Sequence, residues 1–367
     1  MNNYNFMKYK GVIISDDQVE ALKDLEYFIV KSKNFELKQN LDRQKGSKQW
    51  FTLKDNKVHE IEIVGAELEK IPLSLGNLTS LEYLNLNVNK IKILPTSIGN
   101  LKSLKILKLD ANKLIRLPDT IGNLKSLEEL ILGHNYLKKL PNTIGELINL
   151  KKLVLINNNW KLSTIPETIG ALKSLEHLDL KWNKLSSLPS SITELSSLQY
   201  LDLNNCSLEN LPERIGDLQA LKYLDLSENS LRRLPDSFFN INSLETLNLR
   251  DISLKNISEL IGNLDMLKKL NISLNGLISL PSSMLKLKSL QNLNIELNPI
   301  LDHQTWEILN KLKSKGVTIV QSNRSYYDSI RTNPNPDAVC PFCGSGNYEI
   351  GYDHWFCPDC GAETIKG

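Results

Sequence analysis

The sequence predicts an α/β solenoid, in which short parallel strands stack into a long sheet, with helical caps at both ends and a small β-hairpin domain after it. A block of 23 residues recurs between residues 58 and 298, the flanking segments lack it, and four cysteines form two CxxC pairs near the C-terminus. A fixed period of this length is typical of solenoids, whose stacked units form an extended binding surface.

The anchor leucines of the block show how regular the predicted stack is. Neighbouring anchors are 23 residues apart except at one step, where Leu175 follows Leu150 after 25 residues. The anchors are Leu81, Leu104, Leu127, Leu150, Leu175, Leu198, Leu221, Leu244, Leu267 and Leu290. With the anchor as place 1, each block reads approximately LxxLxLxxN followed by LPxxIGNL.

The residue type at each place predicts the local structure. Leucines at places 1, 4 and 6 point inward, and the alternation over places 4 to 6 predicts a strand that pairs in parallel with its neighbours. A buried asparagine amide at place 9 is expected to satisfy backbone groups of its own and the adjacent repeat. The proline and glycine of the second half predict a fixed bend and a left-handed turn. The residues expected to close the core there are Ile98, Ile121, Ile144, Ile169 and Ile215.

This pattern resembles the leucine-rich repeat family, in its 23-residue form with LPxxIGxL on the convex side. The resemblance covers roughly residues 58–320. It implies a horseshoe with a parallel concave sheet, and a scaffold or adaptor that binds proteins on that sheet without being an enzyme. Similar proteins include cytosolic scaffolds that bind Ras-like GTPases, so a small GTPase is one expected partner class, and ubiquitin-type machinery is an alternative.

Residues 1–57 lack the repeat and are predicted to form an N-terminal cap. Ser15 can cap a helix that runs to about Val30, with acidic residues in its first turn. Residues 50–53 and 58–63 are predicted to pair as a hairpin around an Asp-Asn turn. The second strand of this hairpin is expected to be the first strand of the solenoid.

The solenoid domain is predicted to span residues 58–320 and to end in a C-terminal cap. Residues 302–316 predict a helix that stops at a glycine, and residues 317–320 predict a final strand. A terminal repeat needs such a cover because it has no neighbour on one side. Residues 321–338 are polar with two prolines and are predicted to be a linker.

Residues 339–367 contain a predicted metal site. Cys340, Cys343, Cys357 and Cys360 form two CPxC pairs separated by 13 residues, and four thiolates can complete a tetrahedral site. The motif resembles a zinc ribbon with one structural Zn²⁺. Rubredoxin-like iron is the alternative, whereas a redox pair is disfavoured without a βαβ context. Because so short a domain cannot form a hydrophobic core, metal binding is expected to supply its folding free energy, on the order of 10 kcal/mol.

The repeats anchored between Leu175 and Leu244 carry the predicted partner-binding surface. Side chains at places 3, 5, 7 and 8 are expected to leave the sheet toward solvent, with aromatic residues at place 3 beside aspartates at place 5. Aromatic side chains next to charges are typical of protein hot spots, and the aspartates indicate a basic partner. The same residue types are also common at these places in the family without any bound partner. A partner-binding surface and a purely structural role therefore both remain interpretations of these residues. The predicted residues are His177, Asp179, Lys181, Trp182, Tyr200, Asp202, Asn204, Tyr223, Asp225 and Arg250.

Composition and motifs disfavour other classes of function. The chain has 44 basic and 42 acidic residues, and its net charge of +2 disfavours bulk attraction to DNA or membrane. With no long apolar run and no apolar signal core, the predicted location is the cytoplasm. Catalytic residues are not expected, because the five histidines are scattered and HExxH, GxSxG and phosphate-loop motifs are missing. The acidic ribbon disfavours nucleic acid, which stays the alternative function. The sequence determines neither the partner nor the oligomeric state.

Overall fold

The structure is a computed structural model. It describes residues 6–9, 12–33, 38–39, 49–300, 303–321, 349–350, 354–356 and 363–365. The predicted linker, apart from residue 321, lies outside these residues.

The strands are short and regularly spaced along the chain. They are β1 Phe6–Tyr9, β2 Val12–Ser15, β3 Lys38–Gln39, β4 Gln49–Lys54, β5 Lys57–Ile63, β6 Tyr83–Asn85, β7 Ile106–Lys108, β8 Glu129–Ile131, β9 Lys152–Val154, β10 His177–Asp179, β11 Tyr200–Asp202, β12 Tyr223–Asp225, β13 Thr246–Asn248, β14 Lys269–Asn271, β15 Asn292–Asn294, β16 Thr318–Val320, β17 Glu349–Ile350, β18 His354–Phe356 and β19 Glu363–Ile365. From β5 to β16 each strand pairs in parallel with the next, which gives the long parallel sheet that the period predicts.

Short 3-10 turns occupy the second half of the repeats. They are Leu73–Asn77, Thr96–Asn100, Asp119–Asn123, Asn142–Glu146, Glu167–Ala171, Ser190–Glu194, Ile215–Asp217, Asp236–Asn240, Glu259–Asn263 and Ser282–Lys286. A proline precedes most of them, as Pro118 does with φ −72°. The predicted isoleucines of these turns are at most 1% exposed, as expected for residues that close the core.

The asparagine at place 9 holds neighbouring repeats together. Asn135 donates its amide hydrogens to Leu109 O at 2.9 Å and Leu132 O at 3.1 Å, and its side-chain oxygen accepts from Leu114 N at 2.9 Å. The partners belong to its own and the preceding repeat, so the predicted role of this amide is confirmed. Cys206 takes the same place and is fully buried, with its thiol donating to Leu180 O at 3.1 Å.

The predicted reason for the repeat's glycine is wrong. The glycines at place 19 do not adopt the left-handed region. Among the described glycines, only Gly65 and Gly316 have a positive φ. A Cβ on Gly122 would lie 2.5 Å from Thr143 O, so the glycine is needed because the next repeat approaches so closely. The left-handed residues instead stand at place 8, just after the strand. They include Val88, Ala111, His134, Asn157, Trp182, Asn205, Glu228, Asp251, Leu274 and Leu297.

The segment before the repeats contains the predicted helix and hairpin. The helix α1 spans Asp16–Lys33, directly after Ser15, and packs against the first 3-10 turn. Its Gln18 side chain accepts a hydrogen bond from Val58 N at 2.7 Å. β4 and β5 are antiparallel around two left-handed residues, as the Asp-Asn turn predicts. The β1–β2 hairpin is an addition that the sequence patterns did not indicate.

The segment after the repeats also contains its predicted elements. The helix α2 spans His303–Ser314, and Gly316 follows it with φ 89°. Thr305 in α2 accepts a hydrogen bond from Leu280 N at 2.8 Å, which joins the helix to the repeat anchored at Leu267. That the terminal segments act as caps, and that the domain boundaries are as stated above, stay predictions.

Candidate protein-binding surface

Four neighbouring strands, β10 to β13, align six of the predicted binding residues in two rows. His177, Tyr200 and Tyr223 are register partners and form the place-3 row. Asp179, Asp202 and Asp225 form the place-5 row beside it, and Asn248 of β13 continues this row. Because each strand repeats the same register, side chains 23 residues apart in sequence become direct neighbours.

The place-3 row is a continuous stack of rings. The His177 and Tyr200 rings are 4.1 Å apart with an interplanar angle of 6°, and Tyr200 and Tyr223 are 4.4 Å apart at 4°. Burial lowers the pKa of His177 to about 4, with further contributions from the Lys152 and Lys181 charges, so the imidazole is neutral at physiological pH. The inner ring faces of this half-buried stack are covered by the neighbouring rings, so mainly ring edges are exposed.

The expectation that place 5 projects freely into solvent is wrong. Asp179 and Asp202 are each 4% exposed, and Asp225 is 8% exposed. Strands about 4.8 Å apart press side chains of this row against both neighbours. The Tyr200 hydroxyl donates to Asp202 Oδ2 at 3.2 Å, and the Tyr223 hydroxyl makes the same contact with Asp225 at 3.3 Å. The carboxylates are therefore buried, and Asp202 and Asp225 each accept a hydrogen bond from the tyrosine of their own strand.

Lys181 bridges the first two aspartates of the row. Its ammonium lies 3.4 Å from Asp179 Oδ2 and 3.4 Å from Asp202 Oδ2. Burial lowers the pKa of Lys181, but the two carboxylates outweigh this effect and raise it overall. Burial and the neighbouring Asp202 carboxylate raise the pKa of Asp179 to about 6, and burial likewise raises the pKa of Asp202. One lysine thus only partly compensates two buried carboxylates.

Between Asp202 and Asp225, the next pair of neighbouring aspartates, neutral groups take the position that Lys181 takes between Asp179 and Asp202. Asn204 occupies the corresponding place 7 and donates to Ser227 Oγ at 2.8 Å. The Ser227 hydroxyl in turn donates to Asp225 Oδ1 in a short hydrogen bond, and Asn248 Nδ2 donates to Asp225 Oδ2 at 2.8 Å. Ser227 and Asn248 were not among the predicted binding residues, although their places 7 and 5 face the same row.

Trp182 and Arg250 lie at the edge of the surface and join neither row. Trp182 is 43% exposed with φ 58°, at the left-handed place that follows its strand. Arg250 is also exposed, and its backbone N–H donates to Asn248 Oδ1 at 3.2 Å. Their exposure makes them available for contact with a partner.

The four cysteines of the predicted metal site lie outside the described residues. The strands β17, β18 and β19 from the same region form a three-stranded antiparallel sheet. Within the described part of the chain, no group of three or more histidine, cysteine or acidic residues could hold a metal ion. No described helix is long and apolar enough to cross a membrane.

Comparison with known proteins agrees with this architecture. The structure is similar to a plant peptide hormone receptor, RGFR1, solved in complex with RGF2, with 28% identity, a TM-score of 0.60, and coverage of 72% of this chain and 48% of the receptor chain. It is also similar to a chain of the glycosylated Drosophila Toll–Spatzle complex, with 26% identity, a TM-score of 0.63, and coverage of 72% and 38%. The chain therefore spans less than half of either solved chain. No curated protein matches the sequence.

Two family models match the repeats. The model described as "Leucine-rich repeat region" matches residues 66–161 and 192–250, and the one described as "Leucine rich repeat" matches residues 148–208. Together they span residues 66–250, just over half of the 367 residues. The repeated strands, the asparagine ladder and these matches agree: the chain belongs to the leucine-rich repeat family.

Proposed function

We propose that this protein is a binding scaffold whose sheet face over β10–β13 takes a basic segment of a partner protein. The single observation that carries the basic specificity is the contrast between two steps of the aspartate row. Lys181 lies between Asp179 and Asp202, whereas Asn204 and Ser227 occupy the step from Asp202 to Asp225. A partner's lysine or arginine would supply at the second step the cation that the chain supplies at the first.

The electrostatics of the row favour such a partner. Burial raises the pKa of Asp202, which means that its ionised form is undercompensated in the free protein. A cation that arrives beside the buried carboxylate stabilises that form without competing with bulk water. The edges of Tyr200 and Tyr223 flank this position and provide the apolar contact area that protein hot spots use.

The comparisons support protein binding in general terms. Both structural relatives were solved as complexes, RGFR1 with RGF2 and Toll with Spatzle. Binding without catalysis is the corresponding proposal for this chain.

The proposed location is the cytoplasm. Fractionation of cells that express the full chain tests this location. A small GTPase or ubiquitin-type machinery remains a candidate partner class.

The C-terminal domain is proposed to be a zinc ribbon that provides a second contact. The support is the two CPxC pairs, which have the ligand type and spacing of structural zinc sites. Contact of this ribbon with DNA or RNA is the alternative, and its excess of acidic residues disfavours it.

Selection from a random peptide library displayed against the full chain tests the proposed surface. We expect enrichment of peptides with lysine or arginine next to apolar residues. In the double variant Asp202→Asn and Asp225→Asn, affinity for a selected peptide should fall at least about tenfold, since a charged hydrogen bond contributes about 1.5–3 kcal/mol. Calorimetry measures the affinity, and circular dichroism checks that the variant is folded.

The matched control is Asp110→Asn, which removes another half-buried carboxylate at the repeat anchored by Leu104. It should leave the affinity unchanged. Selected peptides without basic residues, or equal affinity of the double variant and the parent chain, would show that the aspartate row does not bind a basic partner.

A further inference from the structure

The junction between the repeats anchored at Leu221 and Leu244 departs from the repeat pattern at three places. Phe239 stands at place 19, where most repeats have glycine. In the next repeat Ile252 stands at the asparagine place, and Ile257-Ser258 replaces the usual Leu-Pro. The three departures face each other across one boundary between repeats.

Phe239 requires more space than this boundary normally leaves. A Cβ on Gly216, at the same place one repeat earlier, would lie 2.0 Å from Ser237 O, and one on Gly122 would lie 2.5 Å from Thr143 O. A whole phenylalanine side chain cannot enter such a contact. The 3-10 turn Glu259–Asn263 must therefore stand farther from the turn Asp236–Asn240 than neighbouring turns usually do.

Ile252 also removes a connection between the two repeats. At regular boundaries the place-9 amide oxygen accepts the place-11 N–H of the preceding repeat, as Asn229 does from Leu208 N at 2.8 Å. Isoleucine has no such acceptor. Arg232 N donates to the backbone oxygen of Ile252 at 3.1 Å instead, and Arg232 adopts the left-handed region with φ 52°.

A cavity of about 650 Å³ lies at this boundary, on the side of the solenoid that carries the 3-10 turns. Its floor is apolar and consists of Leu234, Phe239, Leu249, Leu254, Ile257 and Ile261. Leu234 and Ile257, the place-14 residues of the two repeats, are only partly buried. At the boundary after Thr193, another non-glycine at place 19, Pro212 is retained and the place-14 residues Leu188 and Leu211 are buried.

The opening of the cavity is cationic. Arg232, Arg233 and Lys255 line it together with Asn256 and Ser258, and no lining residue is acidic. Arg233 has a long, exposed ion pair with Glu213 at 3.6 Å. An apolar floor with several cations at its mouth matches a ligand that has an apolar body and one anionic end.

We infer that this cavity binds a small amphipathic carboxylate of the fatty-acid type. The acyl chain lies against the floor between Leu234 and Ile257, and the carboxylate is held by Arg232 and Lys255. The volume is within the range of about 300–1,000 Å³ that is typical of small-molecule sites. The site lies away from the β10–β13 surface and does not depend on the function proposed for it.

Calorimetric titration of the full chain with sodium decanoate, below its micelle concentration, tests this inference. Saturable binding of one equivalent is expected. The double variant Arg232→Gln and Lys255→Gln should bind decanoate at least tenfold more weakly while its affinity for the uncharged decan-1-ol stays the same. Ile257→Trp, which fills the cavity, should abolish binding of both.

Lys138→Gln is the matched control, because Lys138 stands at the same place as Arg232 in a repeat that has the usual asparagine and Leu-Pro. It should not change the affinity for decanoate. Thermal unfolding establishes that each variant is folded. Lack of saturable decanoate binding by the parent chain, or unchanged binding by either the double variant or Ile257→Trp, would overturn the inference.

Discussion

At the scale of single residues, the buried aspartates show how the stacking of repeats changes the properties of a side chain. Asp179 and Asp202 would be ordinary surface carboxylates on an isolated strand. Packed between neighbouring repeats, they become almost inaccessible, and the pKa of Asp179 rises to about 6. Water is excluded around the charge, and the shared Lys181 compensates only part of it. The row is therefore a source of electrostatic cost in the free protein.

This cost predicts that Asp179→Asn stabilises the protein at high pH. The raised pKa means that the protonated carboxyl favours the folded state, so its stabilising contribution is present below about pH 4 and is lost as pH rises through about 6. Above that pH the neutral amide should make the variant more stable by about 3 kcal/mol, since the pKa is raised by about two units and each unit corresponds to about 1.4 kcal/mol. Urea unfolding at pH 8 and pH 4 measures the two free energies.

The difference between variant and parent chain is the informative quantity. His177, whose pKa burial lowers to about 4, destabilises both proteins as pH falls toward 4, because the unfolded chain binds this proton more readily than the folded protein does. The stability difference should shrink toward pH 4, where Asp179 of the parent chain is mostly protonated. A difference of the same size at both pH values would contradict the assigned pKa.

At the scale of the repeat element, spacing between repeats decides which residues are tolerated. The place-19 glycine is required by contact with the next repeat and not by its own backbone angle. Place 8, by contrast, holds side chains as large as Trp182 in the left-handed region because the turn after the strand demands it. The exposed Lys125 and Lys173 also act between repeats, since their ammonium groups donate to Glu146 O at 3.1 Å and Glu194 O at 2.9 Å.

Two glycine-to-alanine variants test whether contact with the next repeat is the reason that a glycine is required. Gly122→Ala places a Cβ 2.5 Å from Thr143 O and should destabilise the protein by about 2 kcal/mol, as overpacking typically does. Gly276→Ala is the control, because its nearest atom, Leu254 O, lies at an ordinary 3.5 Å. It should be neutral or slightly stabilising. Equal effects of the two variants in urea unfolding would show that contact between repeats is not the cause.

At the scale of the whole molecule, the repeats and the C-terminal segment are expected to depend on different sources of stability. In the solenoid, each repeat is stabilised by its neighbours, with the anchor leucines buried and the asparagine ladder connecting successive repeats. The proposed zinc ribbon is too short for a comparable core and would depend on its metal ion.

Elemental analysis of the purified full chain should find one zinc ion per molecule. The double variant Cys343→Ser and Cys360→Ser should lose the metal, because two of four thiolate ligands are removed. Cys206→Ser is the matched control, since that buried thiol bonds within the repeats and should leave the zinc content at one. Iron in place of zinc, or a parent chain without metal, would contradict the proposed ribbon.

The sequence by itself determined the family, the role of the place-9 asparagine, and one strand per repeat, which begins and ends one place earlier than the predicted places 4 to 6. These follow from periodicity and from the chemistry of one repeat, and the structure confirms them at residues such as Asn135. The positions of the aromatic row and of the acidic row also follow from the sequence, because a constant period brings residues at the same place of successive repeats into register.

Only the tertiary structure decided how far those side chains are buried and what separates one boundary from another. The aspartates were expected at the surface, and the glycine was assigned to a turn, because neither pattern contains the distance between adjacent repeats. That distance buries Asp202 between Asp179 and Asp225, excludes a Cβ at Gly122, and leaves a cavity beside Phe239 and Ile257. These properties therefore arise from contacts between residues about 23 positions apart, which no single repeat reveals.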